Sequence, residues 1–202
     1  IDIINKYGID QLRYYLSKEV SLGNDGNISL ENLKNCINND LANNYGNLCQ
    51  RVFTFIKKNC SNKIPKPKKF TEGDDNLTSN LKNKINELVQ LMDNQDLNAY
   101  IKQVVEFSFE ANKYFNDSEP WSLKKSDPQR MNTILFTIVE QIKNISILLT
   151  PIIPIATKKT LDIMNISNSE INLNSITKND ILKHDIELKE TSILFNKIEN
   201  DN

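Results

Sequence analysis

Residues 38–56 read Asn-Asn-Asp-Leu-Ala-Asn-Asn-Tyr-Gly-Asn-Leu-Cys-Gln-Arg-Val-Phe-Thr-Phe-Ile. Leu41, Tyr45, Leu48, Val52 and Ile56 recur at steps of three and four, so in a helix they form one apolar stripe. Asn47 and Arg51 are four apart and stand one above the other. At about 100° per residue they lie roughly 100–140° from the centre of the stripe, on its flank. A side chain there is held by the core and still meets a ligand. An amide beside a guanidinium offers the planar, directional donors and acceptors needed to read a nucleobase edge.

The remaining chain points to a mainly α protein. Five glycines and six prolines in 202 residues are too few for a fold of many short strands and turns. Hydrophobic content is 39% and charged content 25%, ordinary for a globular protein. The Asn and Lys bias keeps helical periodicity and so is not low-complexity sequence. A net charge of −1 excludes a general polyanion binder, and nucleic-acid contact must come from a few placed groups. Cys36, Cys49 and Cys60 form neither a CxxC pair nor a disulfide framework, which suits a reducing compartment. The single histidine, His184, has no partners at metal spacing, so no metal site is expected. The most apolar run, 145–156, is too short for a membrane span and is broken by Pro151 and Pro154. No signal peptide opens the chain, and a start at Ile1 without Met is read as a cut inside a longer polypeptide; a cytoplasmic location is expected.

In chain order, residues 1–17 read as two short helices split at Gly8, and the glycine- and asparagine-rich residues 23–27 as a tight turn. Ser29 is an N-cap for a helix to about Asn59, long enough to suggest a break near Asn38-Asn39. Residues 61–69, with four lysines and two prolines, read as a solvated connector, with a phosphate contact as the lesser alternative. Helices follow over 76–92, from 97 to before Ser118, and from Asp127-Pro128, an N-cap followed by proline at the first helical position. That last helix carries Ile134, Leu135, Ile138, Ile142, Ile145 and Leu149, and Pro151 ends it. Pro154 opens a shorter helix to about Met164. Short connections make this an antiparallel bundle of about five helices. The division expected is a connecting segment, 1–29, a helical domain, 30–165, and a tail, 166–202, that docks back through 182–198.

Trp121, the only tryptophan, lies in Ser118-Glu-Pro-Trp-Ser-Leu-Lys124. Lone aromatics usually pack. Yet this one is read as lying in a loop beside Lys124 and Lys125, where it could stack on an unpaired base.

Three blocks in order carry a family resemblance. Asp40 to Arg51 resembles the first long anticodon-domain helix of methionyl-tRNA synthetases. Residues 118–124 resemble the family's Ala-Pro-Trp segment. Tyr7 to Leu16, with Gly23 to Ser29, resembles the connecting segment after the second ATP-site signature. Residues 192–199, Ser-Ile-Leu-Phe-Asn-Lys-Ile-Glu, partly match the family's closing Leu-Phe-Pro-Arg-Ile-Glu, with Asn196 and Lys197 replacing Pro-Arg. The resemblance implies that Asn47 and Arg51 read the anticodon, with Asn43 a lesser contributor, and that Trp121 stacks on its first base. It implies methionine tRNA, selected by CAU, as partner, with Lys124, Lys125 and Arg13 candidates for its backbone. It further implies the enzyme's own catalytic domain as a partner, and neither DNA nor membrane. The His-Ile-Gly-His and Lys-Met-Ser-Lys-Ser type signatures are absent, so no catalytic residue or cofactor is expected in this stretch. ATP with Mg is implied for the whole enzyme. The competing reading is a structural or protein-interaction bundle without RNA binding, which a fully buried Trp121 would favour.

Overall fold

The computed structural model describes residues 2–19, 29–178 and 181–199; the turn expected at 23–27 lies outside them. Helices α1 (Asp2–Tyr7) and α2 (Ile9–Glu19) meet at Gly8, whose φ of +99° lies in the left-handed region that glycine enters without steric cost. Ser29 caps α3 (Leu30–Cys36), its hydroxyl accepting from the Asn32 amide at 3.3 Å.

The expected break near Asn38-Asn39 is instead a change of winding. From Ile37 to Gly46 the chain is a π-helix, and it returns to α-helix as α4 (Asn47–Asn59). Such wide turns are rare beyond a single turn. Four asparagines, weak helix formers, fall within this one. Gly46 accommodates it locally: a Cβ there would stand 2.8 Å from the Leu41 carbonyl oxygen. The wide turns bury Asp40 and Asn44 beside the apolar stripe, and Leu41, Tyr45, Leu48, Val52 and Ile56 are all sealed from solvent.

The expected helix over 76–92 is two, α5 (Glu72–Asn83) and α6 (Ile85–Asp93), parted at Lys84. It starts earlier than periodicity showed, because Thr71 and Asp74 form a capping box. Asp96 caps α7 (Leu97–Ser118), accepting from the Ala99 amide at 3.1 Å. Then come α8 (Pro120–Ser126), α9 (Pro128–Leu149), α10 (Pro154–Ile163) and the single turn α11 (Asn174–Thr177).

Helix α9 is the axis of the body. It packs against α4, α5, α7, α8, α10 and α11, and every residue from Thr133 to Leu149 except Phe136 is buried. A helix enclosed all round offers its polar groups only internal partners, and among the described residues some side chains of α9 find one while the Gln141 and Asn144 amides do not. Lys143, fully buried, donates to Glu140 at 2.6 Å and to the Ser175 carbonyl at 3.3 Å. The Ser146 hydroxyl lies 2.7 Å from the Tyr45 hydroxyl, which also donates to Thr160 at 3.0 Å.

One face of α2 is fastened to this body. Asp10 accepts from the Ala156 amide in the first turn of α10 at 2.7 Å. Arg13 donates to the carbonyls of Pro151 and Ile152, just beyond the end of α9, at 2.7 and 3.0 Å. Tyr14 and Lys18 both donate to Asp40, at 2.9 and 2.7 Å. The tail returns along the body. Residues 185–188 exchange backbone hydrogen bonds with 62–64, Phe195 is buried against Gly46, and the Asn38 amide forms two hydrogen bonds with the Ile198 backbone at 2.8 and 2.9 Å. Among the described residues no helix is long and apolar enough to cross a membrane.

Candidate nucleic-acid interface

Three elements converge at the N-terminal end of α9. The first turns of α4 present Asn47 and Arg51, the end of α7 presents Phe115 and Asn116, and α8 presents Trp121. The turn between α7 and α8 passes through Glu119 at φ +40°, a left-handed conformation that costs a non-glycine residue roughly 1–3 kcal/mol. Pro120 is buried behind it, and the Glu119 carbonyl accepts from the Ser122 amide and hydroxyl at 2.9 and 2.8 Å. The segment read as a loop around Trp121 is thus a short helix folded back from α7. Pro120 at its first position and the Ser122 contacts start it.

Phe115 is the hinge of the cluster. The Arg51 guanidinium carbon lies 5.0 Å from its ring centroid, and the Trp121 ring meets it edge-on at 5.7 Å and 85°. Arg51 also donates to the Asn116 Oδ1 at 2.7 Å. Phe115 is 2% exposed, whereas Trp121 is 45% exposed. Trp121 is therefore held by its contact with a buried ring and keeps much of its surface for solvent. Sequence reading missed Phe115 and Asn116. The signal for Phe115 was a continuation of the inward α7 positions Val104, Ser108 and Ala111 by one more step of four.

Asn47 is half-buried one turn before Arg51, and among the described residues its amide has no protein partner. Asn43 is exposed but lies in the π-helical stretch, so it is not in α-helical register with Asn47. Lys124 and Lys125 are exposed on the last turn of α8. Lys124 is close enough to the end of α4 to oppose electrostatically the rise that burial imposes on the Cys60 thiol. Arg13 stands apart. Its guanidinium caps the carbonyls after α9, and the 22 residues of α9 separate that end from Trp121 by roughly 30 Å.

A buried ionic knot holds the cluster's supports. Asp74 takes both arms of Arg130, the Tyr114 hydroxyl and the Thr71 amide, joining the starts of α5 and α9 to the end of α7. Burial pushes the Asp74 carboxyl up, but Arg130, Tyr114 and Thr71 together outweigh it and hold the carboxyl below its ordinary value. Among the described residues no group of three metal-ligating side chains forms, and His184 pairs only with Asp185, at 2.6 Å.

The chain is similar to known proteins in sequence and in overall structure. Residues 64–202 match the family described as the anticodon binding domain of methionyl tRNA ligase. Residues 1–53 match the family described as tRNA synthetases class I (M). A methionine–tRNA ligase of Brucella suis is 40% identical over 163 residues, which are 81% of this chain and 32% of that protein. One from Rickettsia felis is 33% identical across the whole chain and 40% of its own length. In structure, the apo methionyl-tRNA synthetase of Mycobacterium tuberculosis superposes with a TM-score of 0.92 at 27% identity, covering 99% of this chain and 41% of that one. The chain thus spans about a third to two fifths of the length of these relatives. Matched along more than half its length, the chain belongs to the methionyl-tRNA synthetase family and carries its anticodon-binding domain.

Proposed function

We propose that this chain is the anticodon-reading part of a methionine–tRNA ligase. It selects methionine tRNA by the CAU anticodon for ATP-dependent methionylation in the cytoplasm, carried out by a catalytic half outside residues 1–202. The observation that carries the reading is that the buried Phe115 ring holds Arg51 and the exposed Trp121 together, next to the unpartnered amide of Asn47. Arg51 donates in a plane to the carbonyl and ring-nitrogen edge of cytosine, and Asn47 supplies a donor and an acceptor to the same or the next base. Trp121 stacks and so adds affinity without telling bases apart. The exposure of Trp121 weighs against a bundle that has lost RNA binding. This chain holds no ATP signature, so no chemical step is assigned to its residues.

The test is a titration of the chain with CAU and UAU anticodon stem-loops at one salt concentration. Arg51→Gln is expected to weaken CAU binding about tenfold and to narrow its margin over UAU, since a lost polar contact costs on the order of 1–3 kcal/mol. Trp121→Ala weakens both and leaves more of the margin. Unchanged discrimination in Arg51→Gln removes the base-reading role.

A further inference from the structure

Between the end of α4 and the start of α5 the chain crosses the surface as a strap, and its composition departs from the rest. Residues 57–69 hold Lys57, Lys58, Lys63, Lys66, Lys68 and Lys69 with no acidic residue, in a chain of net charge −1. The acidic residues resume only at Glu72. The strap is fixed in place. Ile64 and Pro65 are buried, and Ile64 exchanges backbone hydrogen bonds with Ile186 and Asp185 at 2.9 and 2.8 Å. Further on, the Lys68 amide donates to the Thr133 hydroxyl of α9 at 3.0 Å, and Thr71 enters the capping box of α5. Pro65 and Pro67 limit the backbone between these anchors. Lys66, Lys68 and Lys69 are exposed from it.

The anchors also set where those lysines stand. A cleft of about 260 Å³ lies between Lys68, Lys69 and Thr71 of the strap and Asp127, Gln129 and Arg130 at the start of α9. Asp127 turns its carboxylate to the Arg130 amide as the helix cap, at 2.9 Å. That helix start directly follows α8, which carries Trp121, Lys124 and Lys125 and packs along α9. The strap therefore adds exposed lysines next to the elements that bear the base-reading cluster.

We infer that the strap is a second RNA contact, in which Lys66, Lys68 and Lys69 carry the phosphate backbone of the strand whose bases meet Arg51 and Trp121. This rests on the anticodon-reading proposal for the choice of RNA, but its signature differs. Backbone contacts release counterions and do not depend on base identity.

The test titrates the 202-residue chain with CAU and UAU stem-loops across a range of KCl concentrations, comparing it with K66Q/K68Q/K69Q, with the charge-preserving K66R/K68R/K69R and with W121A. Each lost phosphate contact flattens the plot of log affinity against log salt by about 0.7–0.9, so the glutamine triple variant is expected to flatten it by about 2 to 3. It should weaken both stem-loops by the same factor, while the arginine triple variant keeps the wild-type slope. An unchanged slope in the glutamine triple variant overturns the proposal even if W121A and Arg51→Gln behave as base-reading variants. A flattened slope with no CAU preference in the wild-type chain sustains the strap and overturns the anticodon reading. Binding of neither stem-loop overturns both.

Discussion

Replacing Gly46 by alanine sets two known effects against each other. In an ordinary helix interior the change stabilises by about 0.8–1.0 kcal/mol, because alanine loses less backbone freedom than glycine. Gly46 closes the π-helix, and its added Cβ would lie 2.8 Å from the Leu41 carbonyl oxygen and 3.3 Å from the Phe195 ring. The first contact is with backbone and cannot be relieved by a rotamer change. Overpacking of this kind costs about 1–3 kcal/mol, so the net expectation is a loss of about 1 kcal/mol. Gly73 is the control. It lies in the first turn of α5, where a Cβ would meet only the Thr71 hydroxyl at 3.9 Å. Gly73→Ala should stabilise by about 0.5 kcal/mol. Urea unfolding of both variants, read from midpoints at equal slope, gives the two signs directly. Because α4 starts where the π-helix ends, Gly46→Ala should also weaken stem-loop binding, by turning Asn47 and Arg51 away from Phe115 and Trp121. If Gly46→Ala stabilises as much as Gly73→Ala, the wide turn is not a constraint of the native fold and this reasoning fails.

Arg130→Met should cost about 2–3 kcal/mol at pH 7, because it strips a bidentate partner from a buried carboxylate that keeps its bonds to Tyr114 and Thr71. The Asp74 carboxyl is held below its ordinary value of 3.8 in the folded protein, so its contribution is present above that value and is lost as pH falls through the folded value. The stability gap between wild type and variant should therefore narrow as pH falls below 3.8, and a gap that does not narrow on acidification would exclude the assignment. Lys143→Met should cost about 3–5 kcal/mol by leaving Glu140 buried without its partner, whereas Glu140→Leu with Lys143→Met should recover most of the loss. Denaturant midpoints of the single and double variants decide this, and additive losses would show that the pair is not coupled.

What the sequence disclosed followed from local rules. The stripe from Leu48 to Ile56 survived because a period near 3.6 is visible whenever one face is apolar, while Leu41 and Tyr45 are buried within the π-helix. The helix starts at Asp96 and Asp127-Pro128, and the stop at Pro151, rest on capping and on the chemistry of proline. The π-helix left no such mark, since it depends on what Asp40 and Asn44 meet elsewhere, namely Tyr14 and Lys18 for one and Val105 and Asn112 for the other. Nor was the central place of α9 legible. Thr133, Glu140, Gln141, Lys143 and Asn144 are polar residues outside the apolar set from Ile134 to Leu149, yet all are buried. At the candidate site, the spacing of Asn47 and Arg51 and the setting of Trp121 could be read from the chain. Phe115, which joins Arg51 to Trp121, could not be singled out among eight phenylalanines, because its role lies in the fold of α8 back onto α7.

The arginines show why Arg51 stands out from the structure as well as from the sequence. The chain has 25 basic side chains and only three arginines, Arg13, Arg51 and Arg130. Each is used for the planar fork that lysine lacks. Arg13 spreads its fork over two carbonyls beyond α9, and Arg130 over the two oxygens of Asp74. Both forks are thereby committed to holding helix ends together. Arg51 lies with its guanidinium over Phe115, and a single terminal nitrogen donates to Asn116. A guanidinium has five N–H donors, so this arrangement fixes the plane of the group and leaves most of its donors uncommitted. Stability alone gives no reason to choose arginine there, because one hydrogen bond to an exposed amide lies within the reach of lysine. A planar donor set held flat beside an accessible tryptophan does suit a flat, hydrogen-bonding partner. That distinction, between forks closed by the protein and one left open, ties the base-reading proposal to Arg51 rather than to any basic residue nearby.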